Sequence, residues 1–373
     1  MREGRQGLLA ELERRGVTRR EFIRFCGAMA AALGLPGGAS AQIAGALRTA
    51  PKPTLVWLEF QDCAGNTESF LRASRPTVAN LILDTISVDY HETIMAAPGT
   101  QAEEALARVV AESRGQYLAV VEGSIPLADG GVYCCIAGRT ALDIAKRVCG
   151  GAAATIAVGT CATHGGIPGA APNPTGAVGV GEAVPGLRNL INLTACPMNV
   201  ENLTALIVYY LTFKQWPPLD AERRPLFAHG KLLHDACERR AHFNAGEFAE
   251  AWGDEGHCNG YCLFKMGCKG PVTFYNCPTI RWNEGTSWPV QCGHGCIGCA
   301  EPRFWDRMTP FYGHLPLTPG IGADIDRVGL AATGLVAAGF AVHGVTSYVK
   351  RAAERELPAE KSVPPPDRKG NGP

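Results

Sequence analysis

Net charge is what this chain lacks. Lys and Arg together number 35, Asp and Glu number 35, and the formal charge of the 373 residues is zero. No long basic stripe breaks that balance, which argues against a nucleic-acid partner, since phosphate binding rests on clustered Lys and Arg. Internal repeats and heptad runs are missing as well, which excludes solenoids and coiled coils. Regular hydrophobic periodicity fades beyond Pro225 and stays weak to about Pro319, so that stretch cannot build a large apolar core of its own. An apolar run without charged side chains extends from Val328 to Val349.

Cysteine is abundant instead, at 15 residues, beside 45 Gly and 26 Pro that suggest long shaped loops. The densest row reads His234-x2-Cys237, Cys262-x5-Cys268, Cys277, then Cys292-x3-Cys296-x2-Cys299. Thiolates and an imidazole at such spacings are the ligand set of iron–sulfur clusters or zinc, because both take soft sulfur donors in compact tetrahedral arrays. A region without an apolar core would draw its stability from such metal binding.

The two ends read as addresses. Thr18-Arg19-Arg20-Glu21-Phe22-Ile23-Arg24-Phe25 is a twin-arginine pattern, followed by an apolar run from Cys26 to Pro36 and a small-residue cut site at Ala39-Ser40-Ala41. Residues 1–41 are therefore expected to be an export signal; the simpler alternative is an amphipathic helix with a basic start. Export and many cysteines usually mean disulfides. A chain this long needs no such staples, and the twin-arginine route carries folded, cofactor-loaded proteins, so metal-bound cysteine agrees with export. The run 328–349 spans roughly 33 Å as a helix, enough for a bilayer core. Asp324, Asp326 and Arg327 precede it; Lys350, Arg351 and Arg355 follow, which predicts a cytoplasmic C-terminus and a main body on the outer face of the membrane. A buried Ala/Gly-rich helix is the competing reading. The Pro- and charge-rich tail, 352–373, is expected to be disordered.

Between the ends, 53–224 alternates strand and helix. Thr54–Phe60, Leu81–Tyr90, Tyr117–Glu122, Thr155–Gly159 and Asn189–Thr194 read as strands; Ala102–Ser113, Thr140–Val148 and Val200–Phe213 read as helices. This is an α/β pattern with a parallel sheet. Residues 225–320 form an irregular cysteine-rich part with a short helical stretch around Lys231–Arg240. Ligands of parallel sheets sit beyond the carboxyl ends of strands. Cys63, Cys161 and Cys196 each follow a strand, in a loop setting, and so are expected on one rim as ligands.

With these residues in view, the chain resembles the small subunit of a membrane-bound [NiFe] uptake hydrogenase over nearly its full length. The motifs are Thr18–Cys26, Gly138-Arg139-Thr140, Gly159–Gly166, His234-Asp235-x-Cys237-x-Arg239-Arg240, Gly260-Tyr261-Cys262-x3-Met266-Gly267-Cys268-Lys269-Gly270-Pro271 and Gly295-Cys296-Ile297-Gly298-Cys299. The resemblance implies a flavodoxin-like N-terminal domain and three iron–sulfur clusters in a line, carrying electrons from a nickel–iron centre in a separate large subunit. It implies a distal [4Fe–4S] cluster on His234, Cys237, Cys262 and Cys268, and a medial cluster on Cys277, Cys296 and Cys299. Pro289 stands where a fourth medial cysteine would be, which gives a [3Fe–4S] cluster; Cys292 is close enough in sequence to supply a fourth thiolate and a [4Fe–4S] cluster instead. It further implies a proximal [4Fe–4S] cluster and a membrane cytochrome b or quinone-linked acceptor.

The proximal motif departs from the family. Members usually read Cys-x-Gly-Cys; this chain has Cys63-Ala64-Gly65-Asn66. Cys63, Cys161 and Cys196 remain, with Asp62 as the nearest anionic replacement, which is similar to the high-affinity subgroup where a carboxylate replaces one cysteine. Gly65 and Gly166 stand where the oxygen-tolerant type carries extra cysteines. Cys149 reads as packing, and Cys134-Cys135 as packing or a neighbour of the proximal site. Two other functions compete: a stand-alone iron–sulfur electron carrier, and an exported binding protein stabilised by zinc or disulfides.

Overall fold

The computed structural model describes residues 18–73, 86–315 and 325–356. Two compact units result, one ending at His314 and one beginning at Leu315. In the first, five strands form one parallel sheet: β1 Thr54–Glu59, β2 Ser87–His91, β3 Leu118–Glu122, β4 Ala154–Val158 and β5 Leu190–Leu193. Their order is β2-β1-β3-β4-β5, and every pair is parallel. This is the doubly wound, flavodoxin-like order, whose direction reverses between β1 and β3. The predicted strand Leu81–Tyr90 begins later than expected, at Ser87, and its first residues fall outside the described ones.

Side-chain alternation gives the sheet two apolar faces, as covered parallel strands require. Val56, Leu58, Ala119 and Val121 point into one core with Leu106 and Val109 of helix α4 (Thr100–Glu112) and Ile144, Ala145 and Val148 of α5 (Ala141–Gly151). Leu55, Trp57, Leu118, Val120, Ile156 and Ile191 point the other way. They pack on Phe70 of α3 (Gly65–Leu71) and on Leu203, Leu206, Ile207 and Leu211 of α7 (Val200–Phe213). Cys149 lies inside the first core, as a packing residue.

Ahead of the sheet, helices α1 (Arg19–Ala32) and α2 (Ala39–Thr49) fold into a hairpin against α7. Thr18 caps α1 with a capping box to Glu21, the pattern that fixes a helix start. Between β4 and β5 lies the short helix α6 (Gly159–His164). From Pro225 to His314 the chain is loops, single turns and short helices, as the lost periodicity predicts. The helical stretch expected around Lys231–Arg240 resolves into a 3-10 turn at Leu233–Ala236 and a helix at Arg240–Ala245.

The second unit contains one helix, α8 (Ile325–Glu356, 32 residues). Its stretch Ala331–Arg351 is apolar and long enough to cross a membrane, at about 32 Å. Leu335, Val336, Phe340, Val342 and Val345 are all exposed on it. The helix continues through 352–356, so the disordered tail expected from residue 352 cannot begin before Leu357; the remainder lies outside the described residues.

Candidate metal centres

The carboxyl edge of the sheet collects the first group. Cys63 follows β1, Cys161 follows β4 and Cys196 follows β5; the charges of Cys63 and Cys161 both act on Cys196, and that of Cys63 on Cys161. Cys161 lies inside α6 rather than in the expected loop. Its turn is closed by Gly165 and Gly166, both in the left-handed region, where a side chain on Gly166 would sit 2.5 Å from the Cys161 sulfur. Burial pushes the Cys161 thiol up to about 11 and that of Cys196 to about 12. Bare thiols there stay protonated, and a metal ion reverses that preference by binding thiolate.

Asp62 and Asn66 sit differently at this rim. The carboxylates of Glu59, Asp62 and Glu122 lie within 4.8 Å of one another. Burial, then the charges of Glu122 and Glu59, push Asp62 up to about 7. Its charge also acts on Cys161 and on Cys134, so Cys134 is a neighbour of this rim. Asn66 is buried and fully engaged: its amide donates to Glu122 (3.2 Å) and accepts from the Met198 N–H (2.8 Å). Glu122 was not singled out from sequence, yet it is fully buried and accepts from the Asn66 and Thr67 N–H groups, the Thr67 hydroxyl and the Trp57 indole. Its signal was an acid closing an otherwise apolar strand.

The second group is Cys277, Cys296 and Cys299; the charge of Cys299 acts on both Cys277 and Cys296. The Trp282 side chain acts to lower the Cys277 thiol against the rise that burial causes. Cys292 stays apart: it is exposed, 2.9 Å from the Ser287 hydroxyl, and none of the charges acting on the three thiols is its own. Four residues line the third group's cavity together, His234, Cys237, Cys262 and Cys268. Burial holds the His234 ring below the usual histidine range, so its neutral, metal-binding form dominates.

A shared local geometry marks these sulfurs. The Cys296 sulfur accepts from the Gly298 N–H two residues on (3.4 Å), and from the same offset the N–H groups of Arg239, Phe264 and Gly270 act to lower the thiols of Cys237, Cys262 and Cys268. Such N–H···S bonds offset thiolate charge and set cluster potential. Packing cysteines Cys26 and Cys149 lack them. The groups also meet end to end: the Cys196 N–H acts to lower the Cys299 thiol, and the Cys296 N–H donates to the Cys268 sulfur (3.2 Å). Thr160 braces the first junction, donating its hydroxyl to the Cys299 carbonyl while accepting from the Ala195 N–H (3.1 Å). Lys269, buried, has its charge beside both Cys268 and Cys296 at the second.

Comparison with known proteins gives the family of the chain. Residues 229–312 match the C-terminal family of the NiFe/NiFeSe hydrogenase small subunit, and residues 63–210 match NADH ubiquinone oxidoreductase, 20 Kd subunit. The Hydrogenase-1 small chain of Escherichia coli K12 is 43% identical over 357 residues, covering 95% of each chain. This chain belongs to the [NiFe] hydrogenase small-subunit family. The periplasmic [NiFe] hydrogenase small subunit 1 of Nitratidesulfovibrio vulgaris Hildenborough is 48% identical, over 83% of this chain and 97% of its own. The structure of the H2-activated Dm. baculatum [NiFeSe]-hydrogenase superposes with a TM-score of 0.66 at 32% identity, covering 71% of this chain and all of that one. As a hydrogenase small subunit, the chain transfers electrons on iron–sulfur clusters beside a hydrogenase large subunit. The stand-alone carrier is thereby not favoured. Three groups of sulfur donors, pre-arranged with N–H partners, fit such clusters.

Proposed function

We propose that this subunit relays electrons from H2 oxidation through three clusters to a membrane acceptor, such as a cytochrome b or quinone-linked protein. The proximal site is Cys63, Cys161 and Cys196 with Asp62; the medial site is Cys277, Cys296 and Cys299; the distal site is His234, Cys237, Cys262 and Cys268. The single observation carrying this reading is the end-to-end joining of the three donor groups, by Thr160 between Ala195 and Cys299 and by the Cys296 N–H on the Cys268 sulfur. Bound at those sites, the clusters would supply one-electron steps between a nickel–iron centre in the large subunit and the surface. The chain's own part is to fix each donor and dry each site. With Cys292 facing Ser287 at the surface, three thiolates at the medial site favour [3Fe–4S] over [4Fe–4S]. Proximal and distal sites, with four donors each, favour [4Fe–4S].

The exposed apolar helix α8 supports a membrane anchor, and the charge asymmetry around it supports a cytoplasmic C-terminus with the body on the periplasmic face. The twin-arginine pattern supports export by that route, with signal residues in 1–41.

Asp62 as the fourth proximal donor rests on its reach toward Cys161 and on Asn66 being committed elsewhere. Its test is electron paramagnetic resonance of the purified heterodimer. Asp62→Ala should convert the proximal signal to that of a three-iron or water-completed site, and Asn66→Cys should lower the proximal potential through added thiolate charge. A proximal signal unchanged in spin state and potential in Asp62→Ala would sink the carboxylate ligand.

A further inference from the structure

The hairpin of α1 and α2 buries its apolar face on the folded body. Phe22, Cys26, Met29, Ala30, Leu33, Ala39 and Ile43 are each at most 8% exposed, and they pack with Ala205 and Val208 of α7. Tyr209 and Phe227 line the edge of that patch. Helix α7 therefore has two apolar faces: Leu203, Leu206 and Leu211 meet the sheet, while Ala205 and Val208 meet the hairpin. Such an all-round apolar helix needs cover on both sides. The apolar run of the export leader, Cys26 to Pro36, is the same surface that makes this contact. Moreover, the small-residue cut site Ala39-Ser40-Ala41 forms the first turn of α2, with Ala39 buried. A peptidase needs exposed, extended chain, which that turn does not offer.

We propose that the outer face of α7 is a docking surface for the chain's own leader, so that in the folded precursor the leader's apolar run and its cut site are masked until the hairpin detaches. The masking consequence rests on reading Thr18–Ala41 as an export leader; the docking does not. The occupant is residues 19–49, and docking and engagement by the export machinery exclude each other because both use the same side chains. Detachment would expose the twin-arginine helix, its apolar run and Ala39–Ala41 together. After cleavage, Ile43 and Leu47 of α2 would stay to cover part of α7.

Cys26 provides a native probe. It is 1% exposed, and burial raises its thiol to about 11, which keeps it from reacting as thiolate. Cys258 and Cys292 are exposed and outside the proposed cluster sites, so they serve as internal references. The full-length precursor, complexed with its large subunit and isolated from export-deficient cells, is treated with N-ethylmaleimide and read by mass spectrometry. Cys26 should be labelled at least ~10-fold more slowly than Cys258. Val208→Glu on the body, or Met29→Asp on the leader should one of them fail to fold, should bring the two rates together. Added signal peptidase should cut Val208→Glu faster than wild type. Equal labelling of Cys26 and Cys258 in the wild-type complex overturns docking; unchanged cleavage in a variant whose Cys26 has become reactive overturns masking. Arg19→Lys with Arg20→Lys separately tests export: unaffected delivery to the membrane overturns the leader reading and leaves the labelling result standing.

Discussion

Single side chains decide whether a sulfur group can form. Gly166 is the sharpest case, since any Cβ would press on the Cys161 sulfur, Cα and N at 2.5–2.8 Å, and its φ of +54° is itself costly for other residues. Gly166→Ala should therefore cost the proximal cluster, read as a fall in iron and sulfide per heterodimer with the medial and distal signals retained. His229 carries a pH dependence of its own. It is buried against Tyr275, its Nδ1 donates to the Phe274 carbonyl (3.1 Å), and burial with the Arg224 charge lowers it to about 3. Folded His229 stays neutral while the unfolded chain takes up a proton below about 6.5, so its contribution is full above that value and is lost as pH falls toward 3. Stability should decline by up to about 1.4 kcal/mol per pH unit across that window. Denaturant unfolding of His229→Asn against wild type, from pH 7 to pH 4, should show a shallower decline in the variant.

At the scale of elements, the sheet edge and α3 depend on one carboxylate. Ala64 stands in the left-handed region and gives α3 no side-chain cap. Glu122, from the end of β3, supplies the missing acceptor to the Asn66 and Thr67 N–H groups, where the helix dipole also favours negative charge. Glu122→Ala would leave those donors and the Trp57 indole buried without partners, at a cost of roughly 2–4 kcal/mol. A clear drop in the heterodimer's melting temperature is expected, with Cys63 loosened because it sits on the loop that Glu122 holds. A melting point within error of wild type would show that water or a neighbouring group can replace this cap.

For the whole molecule, the division at His314 separates a folded body from a helix whose apolar surface finds no cover among the described residues of its own unit. Lipid is the natural solvent for that surface. Deleting the chain from Asp326 onward should move the heterodimer into the soluble fraction with H2-dependent dye reduction intact and quinone-linked activity lost. Washed membranes that still hold the truncated complex would mean that α8 is not its anchor. The irregular part from Pro225 to His314 sits at the other extreme. Its shared cluster of Leu233, Leu263, Met266, Tyr275 and Trp288 is interleaved with Cys268, Cys277 and Cys296, so its core is built around the proposed metal donors.

The sequence alone determined the family, the parallel α/β pattern and the cysteines grouped by spacing, because spacing and periodicity are local and survive in one dimension. It also marked Cys149 as packing and placed Cys63, Cys161 and Cys196 beyond strand ends. Only the tertiary structure decided what depends on residues far apart in the chain. It turned Cys292 outward to Ser287, committed Asn66 to Glu122 and Met198, and brought Asp62 among Glu59 and Glu122. It also joined Ala195 to Cys299 through Thr160, across the junction of sheet and loops. Those outcomes are set by which strand lies beside which and by the hydrogen bonds that burial makes obligatory, and neither is written in any short stretch of residues.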